Sequence, residues 1–252
     1  MRERFEELAP PSRGYTHGVM AADERIKPIP ICTYCCKEVR PNELNQEHAI
    51  GRQMFPKPRP ANLKWVVVPS CRRCNERPKP DEDYLRALLS LSVAGTTPAG
   101  ESVGETAFRA MTSGKDKGLR GAIVRGIKTD VPLHSPSGVY VGRVMTQKME
   151  WPRIARVVEK WVRGLHLREY GTRLPVDTRF QVAQCPDAQT PATLGMHLPG
   201  KASWPGIFEC WHRRDEEADP TKTTWLFRVW GGIGFIAVTN QELKIITGDI
   251  FL

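Results

Sequence analysis

Val68-Pro69-Ser70-Cys71-Arg72-Arg73-Cys74-Asn75 holds a Cys-x-x-Cys knuckle, and Cys32-Thr33-Tyr34-Cys35 holds its match upstream. Thiolates spaced in this way can both reach one tetrahedral ion while the backbone between them turns back on itself. Two such pairs close a four-sulfur site. Four of the seven cysteines fall into this pattern, so Cys32, Cys35, Cys71 and Cys74 are expected to hold a structural zinc. Cys36 offers a neighbouring sulfur, but only Cys32 and Cys35 have the knuckle spacing. Cys185 and Cys210 stand in strand-like sequence and read as small core residues.

Between the knuckles run Leu44-Asn45-Gln46-Glu47-His48-Ala49-Ile50 and then Asn62-Leu63. Leu63 to Val68 is β-branched and aromatic and reads as a strand, while prolines 56, 58 and 60 keep the preceding loop irregular. Hydrolysis of a phosphodiester needs a deprotonated water in line with the leaving oxygen, a positive centre for the charge on phosphorus, and help for the departing alkoxide. A neutral imidazole does the first near neutral pH, which makes His48 the candidate base. A hard divalent ion held by few protein oxygens, magnesium or manganese, does the rest, and Glu47 and Asn75 offer such oxygens. Each has a plainer reading as well: a hydrogen-bonded histidine, a solvated carboxylate, and turn residues for Asn62 and Asn75.

With the two knuckles, these segments resemble the zinc-stapled HNH endonuclease family over about residues 30 to 90. The resemblance implies a ββα-metal module: a strand ending at Glu47-His48, a loop, a second strand, and a short helix with the last ligand. It implies Glu47 and Asn75 as ligands of the catalytic ion, His48 as general base, and Asn62 as the residue that holds the base's loop. It also implies products with a 5′-phosphate and a 3′-hydroxyl. Glu47 stands where aspartate is commoner in the family, and the prolines at 78 and 80 cut any helix bearing Asn75 to about one turn.

Charge points to the same class of substrate. From residue 27 to 80 there are eleven Lys or Arg against four Glu, a surplus of seven out of +9 for the chain. A zinc with four thiolates removes two of these, leaving about +5 on a small module. Arg52, Lys57, Arg59 and Lys64 lie near His48, and Arg72 and Arg73 lie inside the second knuckle. All six are candidates for phosphate contacts, which position a backbone without reading its sequence. Nucleic acid is the expected partner, DNA in the first instance, with a homodimer or protein partner engaged through the C-terminal half.

The organisation expected for the 252 residues is α+β. It comprises a leader at 1–26, the zinc-stapled module at 27–92, a Gly/Ser/Lys-rich connector at 93–137, and a helix-plus-antiparallel-sheet domain at 138–252. Residues 81 to 91 read as a helix with an acidic first turn, and 105 to 111 as a helical segment inside the connector. The clearest helix is 152 to 170, with Pro152 in the first turn, an apolar stripe of Ile154, Val157, Val158, Trp161, Val162 and Leu165, and Gly171 as its stop. On it Arg153, Arg156, Lys160 and Arg163 form a basic stripe, read as a solvated face, a phosphate track or a surface for an acidic partner.

Strands are expected at 179–185, 193–198, 207–213, 224–229 and 233–239, with Gly231-Gly232 as a hairpin turn. Trp204, Trp211, Trp225 and Trp230 read as core residues rather than base-stacking platforms, and His197 and His212 receive no role. The charged start, Met1-Arg2-Glu3-Arg4, and the lack of a long apolar run lead to an expectation of a cytoplasmic protein with no membrane partner. Repeats, heptads, phosphate-binding glycine loops and nucleophile elbows are absent from the sequence. Two other functions remain open at this level: a zinc-bound nucleic-acid-binding module without catalysis, and an effector nuclease silent until a partner or ligand engages the C-terminal domain.

Overall fold

The computed structural model describes residues 29–61, 63–113, 117–185, 187–215 and 219–241. The leader at 1–26 and Asn62 lie outside the described residues. The fold is α+β, and its first unit is small. Strand β1 (Leu44–His48) pairs antiparallel with β2 (Val67–Cys71), which sets Glu47 opposite Val68 and His48 opposite Val67. Helix α1 (Arg72–Glu76) starts directly from β2, with Cys71 as its N-cap. The second strand begins later than the apolar run from Leu63 suggests. Only five residues of β1 are in register with β2, and after Ala49 the chain turns into a short 3-10 segment, Arg52–Met54, that offers no ladder to residues 63–65.

Pro78 ends the first helix and restarts the next. Helix α2 (Lys79–Ser90) has Pro78 at its N-cap, and it buries Tyr84, Leu85, Leu88 and Leu89 as the periodicity requires, together with Glu82 and Arg86.

Residues 93–137 are not a connector. They carry α3 (Pro98–Thr112), α4 (Lys117–Gly126) and all of β3 (Ile127–His134). The Thr97 hydroxyl accepts from the Gly100 amide at 3.1 Å and caps α3. Ala99, Val103, Ala107 and Met111 then form its buried stripe, joined by Leu119, Ala122 and Ile123 of α4. The glycines and small polar residues that read as linker are contact residues: a Cβ on Gly104 would sit 3.4 Å from the Ser90 side chain of α2.

Strand β3 forms an exposed hairpin with β4 (Tyr140–Gln147), an element without a counterpart in the sequence reading. The long helix α5 (Trp151–Tyr170) follows, and Gly171, with φ +68, closes it in the left-handed region. A five-stranded antiparallel sheet completes the chain in the order β5-β9-β8-β7-β6. Its strands are β5 (Phe180–Gln184), β6 (Gly200–Trp204), β7 (Phe208–Arg214), β8 (Thr223–Val229) and β9 (Ile233–Thr239). The run expected as a strand at 193–198 is instead the end of a short helix, α6 (Thr190–Gly195). Asp187 sets its start by accepting from the amides of Gln189 and Thr190, both at 2.7 Å. The β8–β9 hairpin turns through Trp230 (φ +49) and Gly231 (φ +68), a pair of left-handed residues that matches the strand twist.

Helix α5 lies between the two units. Trp161 meets Phe208 and Phe227 of the sheet edge-on at centroid distances of 5.1 and 5.7 Å. Toward the first unit, Gly164 allows close approach to Ala49: a Cβ there would lie 2.5 Å from that of Ala49. One buried apolar core therefore runs from Ala49 through α5 to Ala237. Trp211, Trp225 and Trp230 are buried in or beside the sheet, and Trp204 is half-buried against Phe55 and Phe208. No helix among the described residues is long and apolar enough to cross a membrane.

Candidate functional site

The four knuckle sulfurs of Cys32, Cys35, Cys71 and Cys74 lie within 4.8 Å of one another. The Cys35 and Cys71 sulfurs are 4.0 Å apart. A tetrahedron of bonds of about 2.3 Å has edges of about 3.8 Å, so the cluster is the size of a four-thiolate metal site. Local backbone bonds hold it. The Cys36 amide donates to the Cys32 carbonyl at 3.0 Å and closes the first knuckle, and the Thr33 amide and hydroxyl both donate to the Pro69 carbonyl at 2.9 and 2.8 Å, docking that knuckle on β2. Cys36 points elsewhere, its thiol toward the Leu174 carbonyl at 3.4 Å. A hydrogen bond from Cys74 drives the Cys32 thiol down to about 4, while the same contact pushes Cys74 up. Sulfurs this close ionise together only around a cation. The donor set suits a soft structural ion such as zinc.

Beside this cluster opens a cleft of about 310 Å³ whose walls include Glu47, His48, Arg52, Asn75, Glu82 and Asp83. Residues 47 and 75 reach it from different elements. Glu47 stands at the end of β1, and Asn75 stands on α1, which the β2 register places alongside. Three of the four expected catalytic residues, Glu47, His48 and Asn75, thus line one cavity.

His48 is half-buried, and its ring meets Trp65 edge-on at 5.1 Å. Burial holds its pKa below the usual imidazole value, and the positive charges of Arg52, Lys160 and Arg59 act in the same direction. It is therefore a neutral imidazole at neutral pH, able to accept a proton. Glu47 is 8% exposed, far from the open carboxylate that a solvent-facing ligand would present. Burial raises its pKa, and Lys160 opposes that rise. The Lys160 ammonium donates to Oε1 of Glu47 and to Oε1 of Glu82, and Gln53 donates to the other oxygen of Glu82 at 2.9 Å. Asn75 is half-buried on the cleft wall.

The basic residues divide into two flanks. On one side the guanidinium groups of Arg52 and Arg59 lie 5.7 and 5.9 Å from the Trp65 ring, and with Lys57 they border an adjoining recess. On the other side Arg72, Arg73, Arg77 and Lys79 border a recess that shares Asn75 with the cleft. Arg72 is paired with Glu76 at 3.0 Å, an exposed pair of little energetic weight. Lys64 is exposed between β2 and the loop.

The stripe on α5 is mostly engaged within the protein, with only Arg156 exposed. Arg153 and Arg156 both bind Asp81 at 2.8 Å, and Arg163 is buried with its guanidinium on the carbonyls of Leu174, Pro175 and Val176. Lys160 lies buried behind the cleft wall, on Glu47 and Glu82. These cations fasten α5 to α2 and to its own following loop, and so are spent inside the protein. Lys160, Glu82 and Gln53 are residues the sequence reading missed. One signal was present: Lys160 sits three after Val157 and one before Trp161, on the buried arc of the helix. Compared with protein-family models, with curated proteins and with solved structures, the chain matches none.

Proposed function

We propose that this chain is a metal-dependent endonuclease of the HNH type that hydrolyses phosphodiester bonds of nucleic acid, DNA in the first instance. The observation that carries the reading is the convergence of Glu47, His48 and Asn75 on one cleft beside the four-cysteine cluster. Zinc would occupy the cysteines and hold the scaffold, its shell filled by sulfur. Glu47 and Asn75 would hold magnesium or manganese, which supplies Lewis-acid stabilisation of the charge on phosphorus and the leaving oxygen.

The chain's own groups do the remaining work. His48, kept neutral by burial and by its cationic neighbours, takes a proton from water as the water oxygen forms its bond to phosphorus. The P–O3′ bond breaks, and the departing alkoxide takes up a proton, leaving a 3′-hydroxyl and a 5′-phosphate. Arg52, Lys57 and Arg59 on one flank and Arg72 and Arg73 on the other suit a polyanion laid across the cleft. Those flanks would equally serve a binding module without catalysis, and the large C-terminal half would suit an effector that needs a partner or ligand to act.

Plasmid nicking with Mg²⁺ or Mn²⁺ separates these readings. Wild type should cut, and His48→Ala should lose on the order of 10²-fold or more in rate while retaining DNA binding, as expected for loss of a general base. Unchanged cutting by His48→Ala sinks the assigned base. Salt-sensitive binding by a wild type that never cuts favours the binding module or the silent effector.

A further inference from the structure

Among the described residues Lys160 is an ammonium buried between two carboxylates, its side chain 3% exposed. The trio draws on three elements: Glu47 on β1, Glu82 on α2 and Lys160 on α5. Burying such charges is favourable only when their partners are geometrically fixed, and here they are. Glu82 is held at both oxygens, one on Lys160 and the other on Gln53. Glu47 is held through Oε1 alone, and its other oxygen has no partner among the described residues, on the wall of the cleft that Glu47 lines.

This asymmetry assigns different tasks to two acids of similar burial. Lys160 has too little exposure to touch a substrate phosphate, and Glu82, fastened at both oxygens, is less free than Glu47 to turn one toward an ion. Their effect must pass through Glu47. A buried ligand carboxylate free to rotate would meet an incoming ion with an ordering cost at each binding event. One clamped through a single oxygen presents the other ready-made. We infer that Lys160, supported by Glu82 and Gln53, is a positioning residue that fixes Glu47 with its second oxygen toward the catalytic-ion position, so that helix α5 of the C-terminal half completes the site. This inference rests on the endonuclease reading. It also makes the N-terminal ββα element insufficient alone, since the clamp comes from a residue 113 positions further along the chain.

The test uses the full-length, zinc-loaded chain and Mn²⁺ as probe. Mn²⁺ binding is followed by the electron paramagnetic resonance of the free ion, and plasmid nicking is followed as a function of Mn²⁺. Lys160→Met should raise both the Mn²⁺ dissociation constant and the half-saturating Mn²⁺ for nicking by about 10-fold to 100-fold, the range for loss of a ligand's supporting partner. Zinc content and circular dichroism should match wild type. Glu82→Gln keeps the shape and an acceptor oxygen, and should give a smaller shift in the same direction. If Lys160→Met does not fold, Glu82→Gln decides. Unchanged Mn²⁺ affinity in a folded, zinc-loaded variant overturns the inference, and so does tighter binding, which would mean that the ammonium competes with the ion. If the wild type nicks but the variants match it in both assays, only the positioning role falls. If the wild type neither binds Mn²⁺ nor nicks, the endonuclease reading falls and takes this inference with it.

Discussion

The indole Nε1 of Trp230 donates to the backbone carbonyl of Met54 at 2.8 Å, across 176 residues of chain. Trp230 sits at the β8–β9 turn, and Met54 closes the 3-10 segment that follows His48. Both residues are essentially inaccessible to water. The bond therefore ties the end of the sheet to the loop of the proposed base inside a shared core. Trp230→Phe keeps most of the apolar volume but leaves the Met54 carbonyl buried and unpaired, a loss of about 1–3 kcal/mol. Urea unfolding followed by fluorescence and by release of cysteine-bound metal should show one coincident transition, shifted to lower denaturant in the variant. Two separated transitions in wild type would refute the shared core.

Gly164 is the point where α5 passes closest to the residue after His48. An added methyl would meet the Ala49 Cβ at 2.5 Å, with the Tyr34 hydroxyl at 3.5 Å. Neither neighbour is a flexible side-chain end, so helix or loop must shift. Gly164→Ala should cost about 1–3 kcal/mol as an overpacked core site, more than the roughly 1 kcal/mol that Ala gains over Gly in a helix. The nicking rate should fall along with the melting temperature, because the displaced segment carries His48. An equally stable, fully active Gly164→Ala would show that the contact relaxes without consequence.

What was legible in the sequence tracks how local the determining physics is. The knuckles, the α2 and α5 stripes and the Gly231 turn depend on spacings within a few residues, and each appears where the pattern put it. The α3–α4 pair was read as a linker because, with only Val103, Met111, Leu119 and Ile123 as larger apolar residues, much of its buried stripe is made up of alanines and glycines. Their value lies in close helix approach to α2, which periodicity of large apolar residues does not register. The β3–β4 hairpin has no buried residue in either strand, so there was no alternation toward a core to detect. Lys160 was visible only as a charge. That it turns inward follows from Glu47 and Glu82, which lie far off in the chain and come together only once β1 and α2 are packed.

The cysteine cluster sets the shape of the cleft through β2 and α1, because Cys71 caps the helix that carries Asn75. Purified chain should contain about one tightly held zinc, and Cys71→Ser/Cys74→Ser should lose it. Since Cys74 and Asn75 share α1, zinc loss should also weaken Mn²⁺ binding at the cleft. Elemental analysis with a Mn²⁺ titration reads both. Zinc retained by the double variant would remove these two residues from the ligand set.

Arg52 and Arg59 lie near the Trp65 ring beside His48, an arrangement in which an indole face limits the wandering of two cations proposed to meet phosphate. If both contact phosphates, Arg52→Ala/Arg59→Ala should lower the magnitude of the slope of log K against log salt by about 1.8, at about 0.9 per contact on duplex DNA. Affinity should drop alike for unrelated sequences, because phosphate contacts carry no base information. Fluorescence anisotropy at several salt concentrations measures the slope. A slope equal to wild type would place the polyanion elsewhere.

His212 gives the C-terminal sheet its own pH response. The ring is buried, stacks on Trp225 at 4.7 Å and shares a 2.7 Å hydrogen bond from Nδ1 with the Tyr170 hydroxyl. Glu169 lies 3.8 Å from Nε2, beyond hydrogen-bonding distance. Burial, reinforced by nearby His166, pushes the imidazole down to about 4 from its ordinary 6.5. Between those values the unfolded chain binds a proton that the folded chain refuses. The stabilisation is therefore complete above about pH 6.5, falls as pH drops toward 4, and levels off below it. The full difference is about 3 kcal/mol at 1.36 kcal/mol per unit. Thermal melts across this window should lose stability in wild type, and His212→Gln should flatten the profile while lowering the plateau, since the amide does not reproduce the ring's stacking on Trp225. A variant whose slope between pH 6.5 and 4 equals that of wild type would assign the response to other groups, with His166, also depressed by burial, next in line.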